Sequence, residues 1–394
     1  MQVKVSVAIA ALVVACLLAA CGKTQSAVSI GTLGHTDGNL VLIGHAAPLS
    51  GPLAHLGRDN ENGARLAIEE LNAQGVFIGA DKVSLQLQSE DDAGDPVQAA
   101  VVAQKLVESK VAGVVGHMNS GATIAASRIY VAAGIPQISP SATNPEYTRQ
   151  AFKTAFRVLA DDTQIGRTLG KYAVGSLMAK TVAVVDDRTD YGRGVAEEFA
   201  KAVVAAGAKI VSKYSTSDKA TDFGPILAGI RRKRPDIVFF GGMDAVAGPM
   251  LRQMKSLTIP SRFMGGDGIC TADLAKLAGN AVADDKVFCA EAGGVEGDAR
   301  AGLDQFKNRY RARFNTDIEL YAPYAYDAVN LMVAAMVKAG STDPAKYLPV
   351  LAATSGYQGI TGTIAFDLKG DVRNGAVTIK TLRGGKFVSL AVLH

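Results

Sequence analysis

The chain has 394 residues, 48% of them hydrophobic and 20% charged, with 41 Lys plus Arg against 37 Asp plus Glu. That composition supports a sizeable buried core in two or three domains and excludes a disordered chain. A net charge of +4, no Trp and 6% aromatic residues exclude nucleic acid as a partner, because there is neither a basic footprint nor a stacking platform.

The chain opens MQVKVSVAIAALVVACLLAAC, in which Lys4 is the only charge and residues 5–20 form an apolar stretch interrupted only by Ser6. A permanent membrane span needs about 20 apolar residues, so this run predicts a signal peptide over residues 1–20 and export of the rest. Its end, Leu18-Ala19-Ala20-Cys21, resembles a bacterial lipoprotein cleavage box, which implies acylation of Cys21 and a membrane anchor there. Cys16 leaves with the signal. Cys270 and Cys289 remain as an even pair in an oxidising compartment, and a disulfide is expected in preference to two buried thiols.

Residues 21–39, rich in Gly, Ser and Thr without a period, predict a flexible tether. Structure then begins with the strand-like NLVLIGHAAPL. DNENGARLAIEELNAQG has helical spacing and ends at Gly75, where a C-terminal cap belongs. VSLQLQ alternates as a strand does. Asp95 and Pro96 open the helix PVQAAVVAQKLVESK, and KVAGVVG is a strand buried on both faces. The helix SGATIAASRIYVAAG and the strand IPQIS follow.

After a bridge at AFRVLA the alternation restarts. Helices are expected at TQIGRTLGKYAVGSL, GVAEEFAKAVVAAG, FGPILAGIRRKR, GPMLRQMKSL and ADLAKLAG. Strands are expected between and after them at TVAVVDD, KIVSKY, DIVFFGG, RFMGG and VFCAE. Two long helical patterns, ARAGLDQFKNRYRARFN and YAPYAYDAVNLMVAAMVKAG, precede closing strands from GTIAFD to the C-terminus. Repeated β-α alternation means parallel sheets with helices on both faces, and this many units exceeds one comfortable sheet. The expected fold class is therefore α/β, with two doubly wound, Rossmann-like lobes and ligands at the carboxyl ends of the strands.

No phosphate-binding GxxxxGKS/T loop, HExxH or GxSxG is present, and the nearest dinucleotide-like string, at Gly192 and Gly194, has Glu197 where a small residue belongs. His45, His55 and His117 have no metal-like spacing, and no metal, cofactor or catalytic residue is expected. Asp91, Asp92 and Asp95 read as a strand end plus N-cap, and RRKR at 231–234 as a solvated helix end. What remains is a set of strand ends rich in small hydroxyl residues. Ser120 and Gly121 stand at a helix start, where free N–H groups favour an anion, and Ser141 and Thr143 end the next strand. Ser120 as a simple cap is the competing account. Asp267, between glycines after FMGG, offers a carboxylate for an ammonium group, against the alternative of a turn-forming Asp.

At IGHAAPLSGPLAHLG, EDDAGDP, VVGHMNSGATIAASRIY, GIPQISPSATNPEYT, AVVDDRTDYGRG, FFGGMDAVAG and FMGGDG the chain resembles the periplasmic leucine/isoleucine/valine-binding proteins of ABC importers. The resemblance covers residues 40–394. It implies the type I periplasmic binding protein fold, two lobes joined by three crossovers: residues 40–159 with 292–361, and 160–291 with 362–394. It also implies a monomer that delivers a free amino acid to membrane permease subunits. Ser120 and Thr143 would hold the ligand carboxylate, the backbone at Ser141 and Ala142 and the Asp267 carboxylate would receive the ammonium, and Tyr191 would reach over from the second lobe. Leu56 and Met243 would line the side-chain pocket, where relatives often carry an aromatic residue and a tyrosine. Amides or urea on the same fold, and a two-lobed dehydrogenase, are the alternatives.

Overall fold

The computed structural model describes residues 39–297 and 299–393. The expected signal peptide, Cys21 and the tether as far as residue 38 lie outside the described residues. The first stretch runs β1 (Leu40–Ala47), α1 (Ala54–Gln74), β2 (Val76–Ile78), β3 (Asp81–Asp91), α2 (Pro96–Glu108), β4 (Gly113–Gly116), α3 (Ser120–Ala133), β5 (Gln137–Ser139), α4 (Glu146–Arg149) and β6 (Ala155–Arg157). The second runs α5 (Asp162–Gly175), β7 (Thr181–Asp186), α6 (Asp190–Ala205), β8 (Lys209–Ser215), α7 (Gly224–Lys233), β9 (Ile237–Gly241), α8 (Asp244–Ser256), β10 (Arg262–Gly265), α9 (Asp273–Ala278) and β11 (Val287–Glu291). Helices α10 (Ala299–Phe314), α11 (Ala322–Ala339) and α12 (Pro344–Ala352) follow. The chain then forms the hairpin β12 (Tyr357–Gly359) and β13 (Gly362–Ile364), and closes with β14 (Val377–Arg383) and β15 (Lys386–Leu393).

One sheet has the order β2-β3-β1-β4-β5-β6 and a second β15-β14-β11-β10-β9-β7-β8. Within the first, β2 alone is antiparallel to its neighbour. In the second, β14 runs antiparallel to both β11 and β15. The chain leaves the first sheet after β6, returns alongside it after β11, where α11 packs on α1 and β4, and after the separate hairpin β12–β13 rejoins the second sheet at β14. These are the three crossovers of a two-lobed α/β fold.

Local chemistry accounts for the element boundaries. The Asp95 carboxylate accepts from the N–H groups of Val97 and Gln98, with Pro96 as the first helical residue of α2. Asp161 and Gln164 form a reciprocal capping box at α5. Helix α1 starts at Ala54, earlier than its apolar spacing predicts, and this puts His55 and Leu56 on its first turn. Gly57 permits it, since an added Cβ would stand 1.9 Å from the Pro48 carbonyl oxygen. The short helix α12 has Pro349 in its interior, which hides it from propensity-based reading.

The strand order places the site. In the first sheet the connections diverge on either side of β1, between β3 and β4. In the second they diverge at β7, between β8 and β9. Crevices open at such switch points, outside the carboxyl ends of the strands. The loops after β1, β4, β7 and β9 all lie there. Cys270 and Cys289 form a disulfide with Cα atoms 5.6 Å apart, linking the turn after β10 to the adjacent β11.

Candidate functional site

On the first lobe, β4 delivers the chain to Asn119, the N-cap of α3, whose side chain makes no capping bond. Ser120 is therefore not the cap. It is buried, and its Oγ accepts the Asn144 N–H at 3.2 Å. The loop after β5 is tied down from several sides. Ser139 Oγ accepts the Ala142 N–H at 2.9 Å, while Ser141 Oγ accepts from Asn60 Nδ2 and donates to the Met118 carbonyl. Thr143 is fully buried, yet its hydroxyl has no hydrogen-bond partner. A buried polar group normally finds a partner, and the Thr143 hydroxyl stands beside the buried Asp162 carboxylate, whose ionised form it favours.

Arg157, at the end of β6, holds this loop in place. Nη1 donates to the carbonyls of Ala142 and Asn144, Nη2 donates to Thr148 Oγ1, and Nε and Nη2 both reach Asp371 Oδ1. Ala142 thus has its N–H and its carbonyl engaged within the lobe. Arg157 is fully buried, and its only sequence signal is an arginine inside an otherwise apolar bridge.

On the second lobe, β10 leads into a turn of 3-10 helix, Asp267–Ile269. Asp267 is buried, and both carboxylate oxygens accept tyrosine hydroxyls: Tyr191 on Oδ1 at 2.8 Å and Tyr321 on Oδ2 at 2.9 Å. The Gly268 N–H donates to Tyr191 Oη at 2.8 Å. Burial pushes the Asp267 carboxyl up to about 6 against the two tyrosine bonds, which favour its ionised form. The flanking glycines leave space that the Tyr191 ring fills. A Cβ at Gly266 would stand 2.6 Å from Tyr191 Oη, and one at Gly268 would stand 2.7 Å from Met243 Sδ. Asp267 is enclosed rather than free at a strand end.

Tyr321 escaped the reading of the sequence as a site residue, because it looks like one more apolar position of a long helix. It is instead the N-cap of α11. Asp59 of α1 holds it there by accepting the N–H groups of Glu319, Leu320, Tyr321 and Ala322. The lobes also meet at His55 Nε2, which donates to Asp244 Oδ2 at 2.8 Å, and at Asn144 Nδ2, which donates to the Asp190 carbonyl at 2.6 Å. Burial works to lower the His55 pKa, but the hydrogen bond and charge of Asp244 outweigh it and hold it above the ordinary value.

A cavity of about 480 Å3 opens between the lobes, and Ser120, Tyr191 and Met243 are among its walls. Ser141, Ala142, Thr143, Asp267 and Leu56 are buried and do not line it. A second cavity of about 470 Å3, beside Arg300, Tyr324 and Lys380, contains none of the expected ligand-binding residues. The three histidines are separately engaged: His45 with Ser89 and Asn60, His117 with Asp92 and Tyr130, and His55 with Asp244. No group of three or more His, Cys, Asp or Glu among the described residues is placed to hold a metal ion, and no helix among them is long and apolar enough to cross a membrane.

Residues 41–386 match the family model described as periplasmic binding protein. The Leu/Ile/Val-binding protein homolog 1 of Brucella abortus is 34% identical over 350 residues, covering 88% of this chain and 92% of that protein. The leucine-, isoleucine-, valine-, threonine- and alanine-binding protein of Pseudomonas aeruginosa is 34% identical over 339 residues, covering 86% of this chain and 89% of that one. Among solved structures, the branched-chain amino acid transporter substrate-binding protein of Streptococcus pneumoniae, in complex with isoleucine, superimposes with a TM-score of 0.79. It is 28% identical and covers 89% of this chain and all of the other.

Proposed function

Because the chain belongs to the periplasmic binding protein family, a family of binding proteins and not of enzymes, we propose that it captures one free branched-chain amino acid between its lobes and delivers it to an ABC importer. The observation that carries this reading is the Asp267 carboxylate, buried between Tyr191 of its own lobe and Tyr321 of the other. A buried carboxylate ringed by hydroxyl donors has its ionised form stabilised, and a guest ammonium group completes its neutralisation. Across the crevice the buried Thr143 hydroxyl and Ser120 at the start of α3 suit the guest carboxylate. Leu56 and Met243 supply apolar surface for an aliphatic side chain.

The guest touches both lobes only when they are shut, so binding shifts the open-closed equilibrium toward the closed form that docks on the permease. Micromolar affinity corresponds to about −8.2 kcal/mol, within reach of a desolvated zwitterion and a small apolar side chain. The lobe boundaries are 40–159 with 292–361 and 160–291 with 362–394. The protein is periplasmic, and our reading adds a monomer tethered through an acylated Cys21 once residues 1–20 are removed.

Calorimetry on refolded, ligand-stripped protein tests the function. Leucine, isoleucine and valine should bind, while acetamide, urea and benzoate should not. Heat from urea or acetamide alone would replace the amino acid with an amide guest. Mass spectrometry of the membrane fraction, looking for a lipid on Cys21, tests the tether separately.

A further inference from the structure

The run Arg231-Arg232-Lys233-Arg234 plays no part in the site between the lobes. Its first three residues form the last turn of α7, and Arg234 follows in the left-handed region at φ 47°, where a glycine would sit without strain. All four are exposed, and among the described residues none of their side chains forms an ion pair or a hydrogen bond. Ala228, one turn back on the same helix face, and Leu257 after α8 floor a shallow cavity of about 690 Å3. Arg231, Arg232 and Arg234 are its walls, and no carboxylate lines it.

The charge extends beyond the helix. α7 leads into β9, which lies beside β7 and then β8 in the second sheet. Lys180, just before β7, and Lys209, the first residue of β8, are exposed at the same amino end of that sheet. The carboxylate beside them is turned to the backbone: Asp236 Oδ2 accepts the N–H groups of Lys180 and Thr181 at 2.8 and 2.9 Å and the Thr181 hydroxyl at 3.0 Å. Six cations against the Asp236 carboxylate exceed the formal net charge of +4 on the whole chain. A helix dipole favours cations in its last turn, but Arg234 lies past that turn and the two lysines belong to strands. The crevice opens at the carboxyl ends of the strands, so this end stays accessible when the crevice is filled.

We propose that the amino end of the second sheet docks on an anionic phospholipid surface, with a lipid phosphate seated in the arginine-walled cavity. Guanidinium groups match phosphate oxygens with paired N–H donors, and clusters of about four to eight Lys and Arg bind anionic bilayers. A bilayer fits better than a dissolved anion, because the cavity is shallow and the cations are spread over α7, β7 and β8 rather than wrapped around one guest. The protein is periplasmic and so has a membrane within reach. Docking keeps it close to that membrane whichever guest the crevice takes.

Vesicle co-sedimentation tests this on the chain from residue 21 onward carrying Cys21→Ser, which no acyl chain can hold to a bilayer. The comparison is the same chain with Arg231→Gln, Arg232→Gln, Lys233→Gln and Arg234→Gly. The parent should bind vesicles of phosphatidylcholine mixed with phosphatidylglycerol and not phosphatidylcholine alone, and the variant should bind about a hundredfold or more weakly. Binding should be lost as salt rises from about 0.05 to about 0.5 M. A parent chain that ignores the mixed vesicles, binds neutral ones as well, or holds on at high salt overturns the proposal. So does a variant that binds like the parent. Release by inorganic phosphate at constant ionic strength assigns the cavity to a dissolved anion and overturns the membrane surface. If the variant does not fold by circular dichroism, the parent chain's lipid preference and salt dependence decide. None of these outcomes bears on the amino-acid reading, which calorimetry tests separately.

Discussion

Tyr321 Oη donates a 2.9 Å hydrogen bond to Asp267 Oδ2, so the N-cap of α11, a helix packed on the first lobe, touches the turn after β10 in the second. This bond exists only while the lobes are together. A hydrogen bond to a charged group contributes about 1.5–3 kcal/mol. Tyr321→Phe should therefore favour the open form and weaken leucine binding by about tenfold or more, with a small effect on the melting temperature. Small-angle scattering with and without leucine, alongside calorimetry, measures both. Unchanged affinity would confine Tyr321 to a structural part.

Removing the two hydroxyls of the first lobe isolates carboxylate recognition. Ser120→Ala combined with Thr143→Ala should lower leucine affinity by one to two factors of about ten. The thermal transition should fall by only a few degrees, since the fold loses the Ser120 acceptor for the Asn144 N–H and the Thr143 hydroxyl beside Asp162. Full affinity in the double variant would remove both residues from the site.

Asp267 also sets a pH dependence of stability. Its folded-state pKa is raised to about 6 by burial. The stabilising contribution of the protonated carboxyl is thus complete below the ordinary carboxylate range and is lost as pH rises through about 6. Per pKa unit the change is about 1.4 kcal/mol. Asp267→Asn cannot ionise, so urea melts should show it gaining on wild type by a few kcal/mol between about pH 4 and 7. The same substitution should abolish amino-acid binding.

The Cys270–Cys289 bridge spans 19 positions and in the loop-entropy model stabilises the fold by about 3 kcal/mol. The double Cys→Ser variant should melt several degrees lower. Leucine affinity should stay near wild type, because neither cysteine faces the cavity between the lobes. A large loss of affinity would mean that the bridge also positions the Asp267 turn.

His55 and Asp244 form an ion-paired contact between lobes when the histidine is protonated. The His55 pKa is raised above 6.5, so its contribution is complete below that value and is lost as pH rises through the folded-state pKa. His55→Gln should loosen closure at about pH 6 and matter less at about pH 8, and scattering at the two values checks it.

Much of this protein follows from local order in the chain. The alternation of short apolar runs with capped helical patterns sets two parallel sheets, because parallel neighbours require crossover helices. Asp95-Pro96, Asp161 with Gln164, and Gly134 mark their helix ends through contacts a few residues away. The loop after β4, which carries Ser120, reaches the cavity between the lobes, since crevices open where α/β connections reverse. Only the tertiary structure decided which groups share that crevice. Tyr321 reaches Asp267 across 54 positions of sequence, and Asp59 fixes Tyr321 across 262. Arg157 clamps the loop after β5 using a partner 214 positions away. Hydrophobic period reports which face of an element is buried, whereas the partner of a buried charge depends on how whole elements pack, and no local pattern encodes that.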